Sequence, residues 1–123
     1  MIDHITVRVI DIEKTKAFYS KALEPLGYKL AFAETFGDTR VIGFSRNNRI
    51  DTWFTTDKPT SGPLHVAWRA DSQEEVDAFY EAAMAAGGKD NGKPGIRDIY
   101  HPTYYGAFVL DPEGNNVEAV FHG

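Results

Sequence analysis

The chain has no cysteine among its 123 residues. That absence excludes disulfides, thiol nucleophiles, iron–sulfur clusters and cysteine zinc sites together. Long apolar runs are missing as well: no stretch nears the ~20 residues that cross a bilayer as a helix. There is no block of Lys and Arg, and 13 basic against 18 acidic residues leave a net charge of −5. Nucleic acid is therefore not an expected partner. The opening residues, Met1-Ile2-Asp3-His4, lack the basic and then apolar order of a signal peptide, so a cytoplasmic protein with no membrane contact is expected. No Gly-x-Gly-x-x-Gly follows a strand, and neither a phosphate-binding loop nor a Gly-x-Ser-x-Gly elbow occurs. What is present suits one ordinary folded domain, with 42% apolar and 25% charged residues. Chemistry must come from His, carboxylates, Tyr, Arg, hydroxyls or a bound cofactor.

Two hydrophobic periods alternate along the chain. Residues 2–10 alternate strictly, with Ile5, Val7 and Val9 on one face and His4, Thr6 and Arg8 on the other, as a two-faced strand does. Asp11 is a suitable helix N-cap, and Ile12, Thr15, Phe18, Tyr19, Ala22 and Leu23 follow helical spacing until Pro25 and Gly27 stop it. Strands are expected over 28–35, 40–45 and 50–55, with turns at Phe36-Gly37-Asp38 and Asn47-Asn48. The Pro- and Gly-rich stretch 57–63 is the expected linker between a module 1–56 and a module 64–123. The second module opens with a strand at 64–70 and a helix capped by Asp71 or Ser72 that ends at Gly87-Gly88. An irregular stretch from Asn91 to Pro102 follows. Two strands, 104–110 and 116–121, then flank the Asp111-Pro112-Glu113-Gly114 turn.

The two halves echo each other in residues as well as in order. A shift of 61 places His4 on His65, Arg8 on Arg69, Phe18-Tyr19 on Phe79-Tyr80 and Gly27 on Gly88. One offset that aligns His, Arg, an aromatic pair and Gly points to a duplicated unit of roughly 60 residues, too small to bury a good core without its twin. The fold class expected is α+β, built from two tandem modules.

His4 and His65 each lie opposite the aliphatic stripe of the first strand of their module. Glu118 lies opposite Val117 and Ala119 on the last strand, and Asp51 is taken as its counterpart between Ile50 and Thr52. Two imidazoles and one or two carboxylates form a plausible site for a divalent metal ion, whether Zn, Ni, Mn or Fe(II). The blander reading makes each a polar group on a half-exposed strand, and for Asp51 a surface ion pair serves equally well. The repeat itself favours the histidine pair as ligands. Arg8 and Arg69 stand four residues beyond each histidine on the same face, placed to hold a substrate carboxylate or to pair with a neighbouring acid. Tyr104, Tyr105 and His101 crowd the irregular segment as candidate pocket residues. Only one of two adjacent tyrosines on a strand can face the interior. Phe18, Tyr19, Phe79 and Tyr80 belong to packing.

The strand His4-x-x-x-Arg8, the helix with Phe18-Tyr19 and Leu26-Gly27, and the ending Asp111-Pro112-Glu113-Gly114-Asn115-Asn116-Val117-Glu118 resemble the vicinal oxygen chelate superfamily. That group includes glyoxalase I, bleomycin-resistance proteins and extradiol dioxygenases. The resemblance covers essentially the whole chain. It implies paired βαβββ modules curled into a cupped mixed sheet with helices outside, and metal ligands at His4, Asp51, His65 and Glu118. Glyoxalase I would have Glu where Asp51 stands, and Thr55 lacks the amide glyoxalase I uses for glutathione. The activity implied is a metal-dependent lyase or isomerase acting on a small substrate with vicinal oxygens, with Glu118 as a catalytic base. A drug-binding protein and a small Fe(II) dioxygenase are the alternatives. A homodimer is also implied, since such sites are assembled from modules of one chain or of two.

Overall fold

The computed structural model describes residues 1–58 and 63–123. Residues 59–62, the middle of the expected linker, lie outside the described residues. Each module is a strand, a helix and three further strands. The first comprises β1 (Ile5–Arg8), α1 (Ile12–Ala22), β2 (Lys29–Phe36), β3 (Thr39–Arg46) and β4 (Arg49–Thr55), with a 3₁₀ turn at Glu24–Leu26. The second comprises β5 (His65–Arg69), α2 (Gln73–Ala85), β6 (Lys89–Ile96), β7 (Tyr105–Leu110) and β8 (Asn116–Phe121). The sheets are ordered β1-β4-β3-β2 and β5-β8-β7-β6, each with one parallel pair, β1 with β4 and β5 with β8. This is the α+β architecture of two tandem modules that the sequence predicts.

Local chemistry sets the boundaries. Asp11 caps α1 by accepting from the Lys14 amide, and Ser72 caps α2 by accepting from the Glu75 amide. Gly27 closes the 3₁₀ turn at φ 87°, a left-handed value that costs glycine nothing. Asn47 and Asn48 take φ 54° and 61°, the two positive values of a tight hairpin turn, and join β3 to β4. Of the stretch expected to be irregular, Asn91 to Pro102, residues 91–96 belong instead to β6, while 97–102 are turns outside any strand. Gly92, Pro94 and Gly95 are tolerated because β6 is an edge strand with irregular register to β7.

One continuous core joins the modules. Phe18, Tyr19, Leu23, Phe44 and Phe54 of the first pack with Trp68, Val76, Phe79 and Val109 of the second. The Tyr19 ring stacks on Phe54 at 4.5 Å and lies 5.9 Å from Trp68. Helices α1 and α2 pack together at this seam, where Gly88 matters: an added Cβ would stand 2.4 Å from Val109 and 2.9 Å from Phe18. The Asp111 turn forms a second seam. Its buried carboxylate accepts from the Tyr19 hydroxyl at 2.6 Å, from the Glu113 and Asn115 amides and from the Asn115 side chain. Glu113 reaches back to accept from the amides of Ile10 and Asp11, at the entrance of α1. The symmetry-related device is an ion pair, Arg46 with Asp71 at 2.6 Å, at the entrance of α2. The acidic turn is therefore a staple between modules, and it leaves the outer sheet faces free.

Candidate functional site

On β5 alternation half-buries Val66, buries Trp68 and exposes His65, Ala67 and Arg69. On the neighbouring β8, Glu118 stands opposite Ala67 and faces the same way. His65 Nε2 lies 2.9 Å from Glu118 Oε1, and the Tyr104 hydroxyl donates to Glu118 Oε2. The carboxylate is 1% exposed. Burial and the adjoining Glu118 charge push the Tyr104 phenol well above its ordinary range, so it stays a proton donor. Gly106 leaves room for this pair, since a Cβ there would stand 3.1 Å from the Tyr104 ring and 3.2 Å from Glu118 Oε2. Phe108 meets the His65 ring edge-on at 6.2 Å, and the Arg97 guanidinium lies 5.3 Å from the Phe108 centroid.

The first module presents the same face with different residues. His4 is half-exposed, 2.7 Å from Asp3, which is also paired with Arg49. These two neighbours, the His4 hydrogen bond foremost, hold the Asp3 carboxyl below its usual range. The ladder sets Ile5 opposite Thr52 and Thr6 opposite Trp53, whereas the second sets Val66 opposite Val117 and Ala67 opposite Glu118. The register counterpart of Glu118 is therefore Trp53, not Asp51. A β-bulge adds to the difference. Phe44 pairs with Thr52 and Ser45 with Ile50, so Asp51 is the extra residue. Ile50 and Trp53 consequently lie on one face, both against the position of a Gly43 Cβ. Asp51 turns toward the core edge and accepts from the Tyr28 hydroxyl at 3.0 Å and from Thr52 at 2.8 Å. Burial and Asp51 together raise Tyr28 to about 12.

His4, Asp51, His65 and Arg69 line one open cavity of about 740 Å³ between the modules. Among the described residues, however, no three His, Asp or Glu side chains stand close enough to share a metal ion. One chain thus brings His65 and Glu118 together and leaves His4 and Asp51 apart from them. Arg8 donates through Nε to the Asp57 carbonyl at 3.1 Å, and Arg69 has no partner among the described residues. The adjacent tyrosines divide. Tyr104 faces Glu118, while Tyr105 faces α2 and donates to Asp77 at 2.6 Å, which with burial raises it to about 12. Tyr105 is thus part of the packing. His101 pairs with His122 at 2.9 Å beside the Tyr104 ring, without reaching Glu118. Sequence reasoning passed over Trp53 and Phe108, because the ladders that place them, Trp53 opposite Thr6 and Phe108 opposite Glu118, are set by strand pairing and not by spacing along the chain.

Paired βαβββ modules, with a half-exposed histidine beside a buried glutamate on the open sheet face, define the class of fold. A family model described as the glyoxalase/bleomycin resistance protein/dioxygenase superfamily matches residues 1–119, and the chain belongs to that superfamily. Similar solved structures include a glyoxalase/bleomycin resistance protein from Albidiferax ferrireducens, with 28% identity, 97% of each chain covered and a TM-score of 0.73. A glyoxalase/bleomycin resistance protein/dioxygenase family enzyme from Burkholderia phytofirmans is 22% identical, covers 99% and 98% of the two chains and gives a TM-score of 0.73. A glyoxalase I variant from Zea mays gives a TM-score of 0.73 at 23% identity; 97% of this chain matches 46% of that one. No curated protein matches the chain.

Proposed function

We propose that this protein is a divalent-metal-dependent enzyme of the lyase or isomerase type, acting on a small substrate with neighbouring oxygens. The observation that carries this reading is the Glu118 carboxylate, buried on an otherwise open sheet face and shared between an imidazole and a phenol. A carboxylate is held out of water only where cationic or hydrogen-bonding partners compensate it. The donor chemistry fits a divalent cation: His65 and Glu118 from one module and His4 from the other, two imidazoles and a carboxylate. Since the described residues of one chain do not bring three donors together, the proposal includes a homodimer in which His4 of one protomer faces His65 and Glu118 of its partner. Superfamily members often form dimers. A cation held there would polarise oxygens on two adjacent carbons and so acidify the C–H next to the polarised carbonyl.

The chain's own residues supply the rest. Glu118 is the base that takes and returns the proton, and Tyr104 holds its second oxygen in place. Arg69, without a partner among the described residues, is free to receive an anionic substituent. Elemental analysis tests the reading. The purified protein should carry about one divalent ion per chain, and His65→Ala should carry almost none while keeping its fold. Normal metal content in that variant refutes the site.

Trp53 favours a second reading. With an indole where a fourth donor would stand, two histidines and one carboxylate remain, a set that also suits Fe(II) oxygen chemistry. Oxygen consumption by the Fe(II)-loaded protein with a catechol decides between the two.

A further inference from the structure

We infer that Trp53 is a stacking platform that selects substrates bearing a planar aromatic ring, an inference about specificity that rests on the proposed enzyme site. Four observations converge on this. The indole takes the register position of Glu118, so it faces the same open surface as the proposed metal donors. Gly43 lies directly beneath: a Cβ there would stand 2.8 and 2.9 Å from two carbons of the indole six-membered ring. The six-membered ring of the indole therefore packs over the bare backbone of β3, and the residue stays partly exposed. Phe32 meets it edge-on at 5.3 Å and 70°, which fixes its tilt. Finally, Val41, Ile50, Trp53, Thr6 and Thr55 line a pocket of about 520 Å³ that also reaches His4. Its floor is apolar, its rim carries two hydroxyls and the Asp3 carboxylate, and one end touches a donor of the proposed site.

A flat, rigid indole face rewards a flat partner. A planar ring makes full contact with it, whereas a puckered saturated ring of similar volume touches it through a few hydrogens. The second module offers no equivalent surface, because Glu118 and Tyr104 occupy that place. The cup is thus polar on one side and aromatic on the other. A substrate with vicinal oxygens at one end and an aromatic ring at the other fits both.

The test uses two small probes that contain no vicinal oxygens, benzyl alcohol and cyclohexylmethanol, titrated into the intact protein with and without chelator. Benzyl alcohol should bind about fivefold more tightly. Trp53→Leu should erase that preference, and Trp53→Phe should keep most of it. In the unaltered protein the Trp53 indole N–H resonance should move on titration while that of Trp68, buried and bonded to Thr52, stays fixed. This second readout stands even if Trp53→Leu fails to fold. Equal affinity for the two probes, a preference that survives in Trp53→Leu, or movement of Trp68 alone would overturn the inference. So would a Trp53→Leu variant that turns monomeric while the unaltered dimer binds neither probe, since the indole would then be covered by a second copy. Because neither probe can chelate, the outcome is independent of metal content. Loss of the metal reading and loss of the platform are therefore separately visible.

Discussion

At the scale of single residues, the chemistry rests on how one buried carboxylate is partnered inside a sheet. Glu118 has a partner on each oxygen, so removing either leaves a buried lone pair without a donor. Tyr104→Phe should leave the fold intact and weaken divalent-metal affinity by about tenfold, as loss of a hydrogen bond to a ligand does. Competition with a chromophoric chelator measures this, and an unchanged affinity would place Tyr104 outside the site. Space is as decisive as charge at Gly88, where a methyl group would overlap Val109 and Phe18 at the helix seam. Gly88→Ala should cost about 2 kcal/mol in urea unfolding, the usual penalty for overfilling a packed core. Trp53 shows why a residue-by-residue reading of the sequence falls short. Asp51 looks like the partner of Glu118 because it is the acidic residue at hand. A single extra residue in β4 moves it off the face, and an alternation count cannot see a bulge.

At the scale of elements, the strands and helices were largely legible because their periods are clean and their caps carry the expected side chains. Asp11 and Ser72 cap as their chemistry suggests, and Asn47-Asn48 makes the turn its composition implies. β6 was not legible. Gly92, Pro94 and Gly95 are signals of irregular chain, and they survive in a strand only because β6 is paired on one side. The acidic turn Asp111 to Asn115 was legible as a turn, but its energetic role is tertiary and depends on Tyr19, 92 residues away. Asp111→Ala should lower stability by about 3 kcal/mol, since several donors lose their acceptor at once. Metal content per folded chain should be unchanged. A loss below 1 kcal/mol would show that the turn does not hold the modules together.

At the scale of the whole molecule, two small modules share one core, so unfolding should be a single cooperative transition. Its dependence on alkaline pH follows from the tyrosines. Tyr28 and Tyr105 titrate at about 12 in the fold against an ordinary value of 10, and Tyr19, Tyr80 and Tyr104 are raised too. A raised value means that the folded state keeps protons the unfolded chain releases. The associated stability is complete below pH 10 and is lost as pH rises from 10 toward 12. The urea midpoint should fall across that window, and a flat midpoint would contradict these environments. The histidine repeat in the sequence located both halves of the candidate site, but not how they meet, because that is decided between surfaces and not along the chain. Metal content of mixed protomers addresses the meeting directly. His4→Ala and His65→Ala are each expected to be metal-poor as homodimers. Refolded together in equal amounts, half the dimers would be mixed, each with one intact site, restoring about a quarter of the unaltered content per chain. No recovery above either variant alone would contradict a site built from His4 of one protomer and His65 and Glu118 of its partner.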